Sequence, residues 1–165
     1  MPTTKLIGQM IDHFHEPRWV EHSLKVFAYS QGIGGEEGLD RDELLTLGAA
    51  ALLHDIGIPS ARKRHGDTAK RDYAYHEREG ADLAPSLLER ADFPQPFQER
   101  IVWLVGHHHQ EDKTETESLL QLLLESDYLV NLSEGNIKHR TPEDVLVNSF
   151  ATETGKRYLR NLFGL

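Results

Sequence analysis

The chain has 165 residues, and 18 Lys and Arg stand against 27 Asp and Glu, a formal charge of −9 before any of the 10 His is counted. That length fits one compact domain over residues 1–165, and the lack of cysteine removes disulfides, thiolate metal sites, iron–sulfur clusters and Cys nucleophiles. A mean hydropathy of −0.53 without an apolar run approaching about 18 residues argues against a membrane span, and a pI near 5.5 argues against a nucleic acid duplex as partner, because that binding draws on clustered Lys and Arg.

The segment from Met1 to Asp12 is too polar and broken for a signal-peptide core, so the cytoplasm is the expected compartment. From Pro17 to Gln31 a stripe of Trp19, His22, Val26, Tyr29 and Ile33 follows the spacing of one helix face. Asp40 with Glu43 three residues on predicts a capped helix start. That helix runs through Leu44, Leu47, Ala51 and Leu52 until Gly57 and Pro59. Residues 59 to 72, rich in Gly, Lys, Arg and Asp, read as a loop. Helices are expected at Tyr75–Ala91, from Pro94 to the solvated run at Gln110, and from Glu117 to Leu132. Thr141-Pro142 marks another start, and a last helix covers Thr152–Leu162. No stretch alternates with period two, so the fold class expected is all-α.

Four positions place a metal-competent side chain on a stripe that should be apolar. His22 lies between Trp19 and Val26, His54 and Asp55 extend the line of Leu47 and Ala51, and Asp127 continues Leu120 and Leu123. Each has an ordinary alternative: a hydrogen-bonded core histidine, or a carboxylate paired with Arg or Lys. A buried carboxylate is costly unless it is paired or binds a cation. The four together therefore point to a cation held by two imidazoles and two carboxylates.

The run Glu21-His22-Ser23-Leu24-Lys25-Val26, then Leu52-Leu53-His54-Asp55-Ile56-Gly57, then Glu125-Ser126-Asp127-Tyr128-Leu129 resembles the HD superfamily of metal-dependent phosphohydrolases, named for its His-Asp doublet. The resemblance covers roughly residues 17–135, with the helices at 141–163 packed on that core, and it implies a single-domain helical bundle. It further implies that His22, His54, Asp55 and Asp127 bind a divalent cation such as Mn, Fe, Co, Ni, Zn or Mg. Asp55 would shape the centre where a metal-bound hydroxide attacks phosphorus.

Some HD proteins hold two metals through extra histidines. Tyr75-His76-Glu77 and Gly106-His107-His108-His109 are similar to those segments, so one or two ions per chain are expected, with His76, His107 and His108 completing a second site. His109 is rotated furthest from the helical stripe of Ile101, Leu104 and Val105. Many HD phosphodiesterases carry Lys, and some HD nucleotidases Glu, three residues after the doublet's Asp, where this chain has Ile58, and the Gly-Tyr-Pro signature of the cyclic-dinucleotide phosphodiesterase branch is absent. Phosphate contacts are therefore expected from Arg18, Lys63 or Arg78, with Lys25, Arg62, Arg64 and Arg157 as further candidates; each also reads as a solvated surface residue. The partner implied is a small phosphorylated molecule or nucleotide, and no pattern sets an oligomeric state. Two rival readings are a di-iron HD-type oxygenase and a non-catalytic, metal-stabilised nucleotide-binding module.

Overall fold

Prolines and polar caps set where the helices begin. The computed structural model describes residues Met1–Leu165 and contains helices, turns and no strand, an all-α fold. In chain order the helices are α1 (Pro2–Phe14), α2 (Pro17–Glu36), α3 (Arg41–Leu53), α4 (Ile58–His65), α5 (Ala74–Arg90), α6 (Gln95–Val105), α7 (Ser118–Ser133), α8 (Pro142–Ser149) and α9 (Glu153–Phe163). Pro2, Pro17, Pro59, Pro96 and Pro142 all fall in first turns, where the missing N–H has no intrahelical partner to lose. The capping box at α3 is complete: the Asp42 and Glu43 amides donate to Asp40 Oδ1 at 2.9 and 2.8 Å, and the Asp40 amide donates to Glu43 Oε2 at 3.1 Å.

Helix α3 is the hub. It is buried along most of its length and touches α2, α6, α1 and α7. The apolar cluster is continuous from Leu6 and Met10 of α1 through Leu47, Leu52, Ile101, Leu104 and Leu123 to Leu159 of α9. At the far end, fully buried Glu125 of α7 accepts from the Ala151 and Thr152 amides at 2.7 and 2.9 Å, which fixes the entry of α9.

The structure corrects the sequence reading in four places. Helix α1 was not expected; its buried Leu6, Met10 and Phe14 recur every four residues. Residues 59–72 hold α4 and a short 3₁₀ stretch instead of a loop: Pro59 opens the helix, while the chain breaks one turn earlier, at residues 54–57. Helix α6 ends at Val105, well before Gln110. A window of 18 residues within Arg41–Lys70 does reach a mean hydropathy of 1.4, and 72% of it is buried inside the bundle, across the break between α3 and α4.

Candidate metal centre

The break after α3 is what builds the centre. His54 and Asp55 leave the last turn of α3, and the Ile56 and Ile58 amides close tight turns onto the Leu53 and Asp55 carbonyls at 3.0 Å each. Gly57 follows because no other residue fits: a Cβ there would lie 2.1 Å from the His76 carbonyl oxygen and 2.4 Å from the Gly80 amide nitrogen. Helix α5 can thus approach until His76 stands beside Asp55.

On one side, His22 of α2, His54 and Asp127 of α7 converge. His22 Nε2 lies 3.3 Å from His54 Nε2 and 3.0 Å from Asp127 Oδ1. On the other side, His76 Nε2 lies 3.2 Å from His108 Nε2 and 3.1 Å from His109 Nε2. Asp55 stands between them. Its Oδ2 faces His22 and His54 at 3.6 and 3.5 Å, while its Oδ1 faces His76 and His108 at 3.5 and 3.6 Å.

The outward nitrogens explain why the inward ones converge. His54 Nδ1 donates to the Ala51 carbonyl at 2.8 Å, His108 Nδ1 to the Val105 carbonyl at 2.7 Å, and His22 Nδ1 to Glu134 Oε2 at 2.9 Å. Each ring spends its N–H on that bond, so neutral rings turn Nε2 lone pairs towards one another, an arrangement that only a shared cation or proton relieves. The donor chemistry therefore fits a divalent metal: imidazoles and carboxylates in two groups, each with ligand atoms mutually within 4.8 Å.

Without a metal, protons take that place. Burial disfavours a charged His22, yet the hydrogen bond to Asp127 and the charges of Asp127 and Asp55 push it up to about 10. Burial also opposes ionisation of Asp55 and Asp127, and it is outweighed by His54 and His108 around the first and by His22 and His54 around the second, so both carboxyls sit below the usual carboxylate range. Burial pulls His76 down to about 4, with His108 adding to the effect, and it holds His109 well below the ordinary histidine value.

Of the residues singled out from sequence, His22, His54, Asp55, Asp127, His76 and His108 meet here. His107 does not. Its ring stacks on Trp103 at 4.2 Å, its Nδ1 donates to the Trp103 carbonyl at 2.7 Å, and it lines a separate groove of about 540 Å³ between α5 and α6. The reason is the early end of α6: from Gly106 onward the chain turns, so helical spacing no longer gives ring direction. His109 takes the place expected for His107, its ring stacked on Tyr73 at 4.1 Å and its amide donating to buried Glu77 at 2.8 Å.

The donors open into a cavity of about 1230 Å³ whose wall carries Arg18, Lys25, Arg62, Lys70, Lys138 and Arg140. Arg18 is among the expected phosphate contacts. Lys63 is exposed on α4, and Arg78 lines the groove with His107; neither lines the cavity. Arg64 is paired with Glu79 and Arg157 with Glu36. Sequence reasoning missed Glu134, Asn131 and Glu77. Asn131 and Glu134 follow Asp127 at i+4 and i+7, the spacing of one helix face, and Asn131 Nδ2 donates to Asp127 Oδ1 at 2.8 Å; that polar continuation of the stripe was the available signal. Glu77 carried none, since its partners come from another element.

The sequence model of the HD domain matches residues 19–146. An A-adding tRNA nucleotidyltransferase from Deinococcus radiodurans is 36% identical over 93 residues, 53% of this chain and 20% of that protein. A CC-adding tRNA nucleotidyltransferase from Thermus thermophilus is 28% identical over 110 residues, 67% of this chain and 24% of that protein. The chain thus spans a fifth to a quarter of the length of these relatives. A crystal structure described as a predicted HD superfamily hydrolase from an uncultured Thermotogales bacterium superposes with a TM-score of 0.66 at 20% identity, covering 98% of this chain and 84% of that one; this is a likeness of fold.

Proposed function

The chain belongs to the HD-domain family, and from that premise we propose that it is a metal-dependent phosphohydrolase acting on a small phosphorylated metabolite or nucleotide. One observation carries the reading. Five imidazole Nε2 atoms and two carboxylates converge, with Asp55 turning one oxygen to each half of the cluster, at the base of a cavity whose wall is rich in Lys and Arg.

His22, His54, Asp127 and Asp55 Oδ2 would hold one divalent ion, and His76, His108, His109 and Asp55 Oδ1 a second. When bound, such ions neutralise phosphoryl oxygens and bring the pKa of a water towards neutrality. The chain's own residues do the rest. Glu134 takes the His22 Nδ1 proton in a hydrogen bond, which orients the ring and keeps Nε2 available. Glu77 holds the turn that carries His109. The cationic wall draws in an anion despite the net charge of −9. The donor set would also serve a di-iron oxidation; the Lys and Arg around the cavity favour a phosphorylated substrate instead. The activities in the names of the tRNA nucleotidyltransferases belong to much longer chains and are not carried over.

The test strips the protein with chelator, reloads it separately with Mn, Fe, Co, Ni, Zn or Mg, and measures bound metal and phosphate release from a panel of phosphorylated metabolites and nucleotides. Two ions per chain are expected, one for each donor group, with turnover that Asp55→Ala and His54→Ala abolish. Retained turnover in both variants, or oxygen consumption without phosphate release, overturns the reading.

A further inference from the structure

Most cations around the cavity already have a carboxylate. Arg18 pairs with Glu16 at 3.1 Å, Lys25 with Glu134 at 2.9 Å, Lys70 with Asp67 at 2.7 Å and Arg140 with Asp144 at 2.6 Å. Arg62 is different. It lines the same cavity, forms no ion pair, and its guanidinium lies over the Trp19 ring at 4.9 Å. Trp19 in turn packs against the core, so it offers a fixed platform, and Arg18 lies over the same ring at 4.4 Å. A guanidinium held on an aromatic face keeps its N–H edge free for an oxyanion and loses little freedom on binding one.

Its position along α4 fixes what that oxyanion can be. The Asp55 carbonyl accepts from the Ile58 amide at 3.0 Å, so the first residue of α4 adjoins the donor cluster. Arg62 follows one helical turn later, about 6 Å along the axis. A phosphoryl group seated among the metal donors therefore leaves Arg62 beside the next anionic group of the same molecule.

We propose that Arg62, held on Trp19, anchors a second phosphoryl group of the substrate, so that the centre takes phosphoanhydrides, such as a nucleoside diphosphate or triphosphate, in preference to simple monophosphate esters. This deepens the phosphohydrolase reading and rests on it for turnover, while anion binding tests it separately.

Trp19 and Trp103 are the two tryptophans of the chain, and Trp103 lies in the other groove, so Trp103→Phe leaves Trp19 as sole reporter. In that background the metal-loaded protein is titrated with inorganic phosphate and with inorganic pyrophosphate, reading Trp19 fluorescence. Pyrophosphate is expected to bind about tenfold or more tightly than phosphate, and Arg62→Gln to bring the two within about threefold of each other. Metal content and helical circular dichroism stay unchanged, since Arg62 is half-exposed. Arg62→Lys retains part of the preference, because it keeps the charge and loses the planar fork. A preference that survives Arg62→Gln, or that the parent protein lacks, overturns the proposal. So does a loss of affinity shared equally by both anions, which marks a diffuse field. If neither phosphoanhydrides nor monophosphates are hydrolysed, the proposed function fails, and the pyrophosphate preference still decides the role of Arg62.

Discussion

His107 and His109 are two residues apart, and their rings serve different places. His107 lies flat on Trp103 with its Nδ1 bound to a backbone carbonyl, while His109 Nε2 stands 3.1 Å from His76 Nε2. His109→Ala should therefore remove a donor from the second ion and bring the metal content measured by elemental analysis towards one ion per chain, the centre built on His22, His54 and Asp127 being left intact. His107→Ala should leave both ions in place. Equal metal loss in the two variants would sink this assignment. The pair also marks a limit of sequence reading. His22, His54, Asp55 and Asp127 were legible because each interrupts an apolar stripe on a continuous helix or at its end. Ring direction at 107–109 was not, because Gly106 ends α6 and the following turn has no period. Glu77 and Glu125 were equally hidden, since each is buried by partners that only the folded chain supplies.

Among the helices, the junction of α3, α4 and α5 bears the geometric load of the centre. Gly57 has an ordinary helical φ of −79°, so its requirement is purely one of space: the α5 backbone occupies the volume where a Cβ would go. Gly57→Ala must push α5 outward or re-aim the 54–57 turn. We expect a loss of roughly 2–4 kcal/mol, as for overpacking against atoms unable to yield, read as a lower midpoint in denaturant unfolding. The same variant should bind the second ion more weakly than the first, because α5 carries His76 whereas His22 and Asp127 come from α2 and α7. A Gly57→Ala protein as stable as the parent would show that α5 can shift freely. The helices themselves were legible where caps and stripes coincide, as at Asp40 and Thr141. Helix α4 was not, since Arg62, Lys63, Arg64 and His65 crowd its last turn and only Ala61 is buried. Its stability comes from packing beneath it and not from a pattern of its own.

For the whole molecule, metal and protons compete for one buried cluster, and this sets how stability and loading vary with pH. His22 sits at about 10 in the metal-free fold against an ordinary value of about 6.5. A raised histidine stabilises the fold fully below the unfolded value, and the contribution fades as pH rises through the folded one. Asp55 and Asp127 act in the opposite sense. Their lowered values stabilise the fold above the ordinary carboxylate range, about pH 4, and that contribution is lost as pH falls. His76 and His109, which burial keeps neutral in the fold, cost stability once pH falls below the ordinary histidine value of about 6.5, so the metal-free protein should be most stable near neutrality. At pH 7 divalent ions must displace the proton on His22, and His108, raised against burial by Asp55, adds to the count, so loading should release at least one proton per chain. Calorimetric titrations in buffers of different ionisation enthalpy measure that number directly. Metal affinity should also rise from pH 6 to pH 8, by up to about tenfold per unit for each proton displaced, and the metal-induced gain in thermal midpoint should be larger at pH 8. Affinity that stays flat across this range would mean that no protonated imidazole is held between Asp127 and Glu134 before the ion arrives.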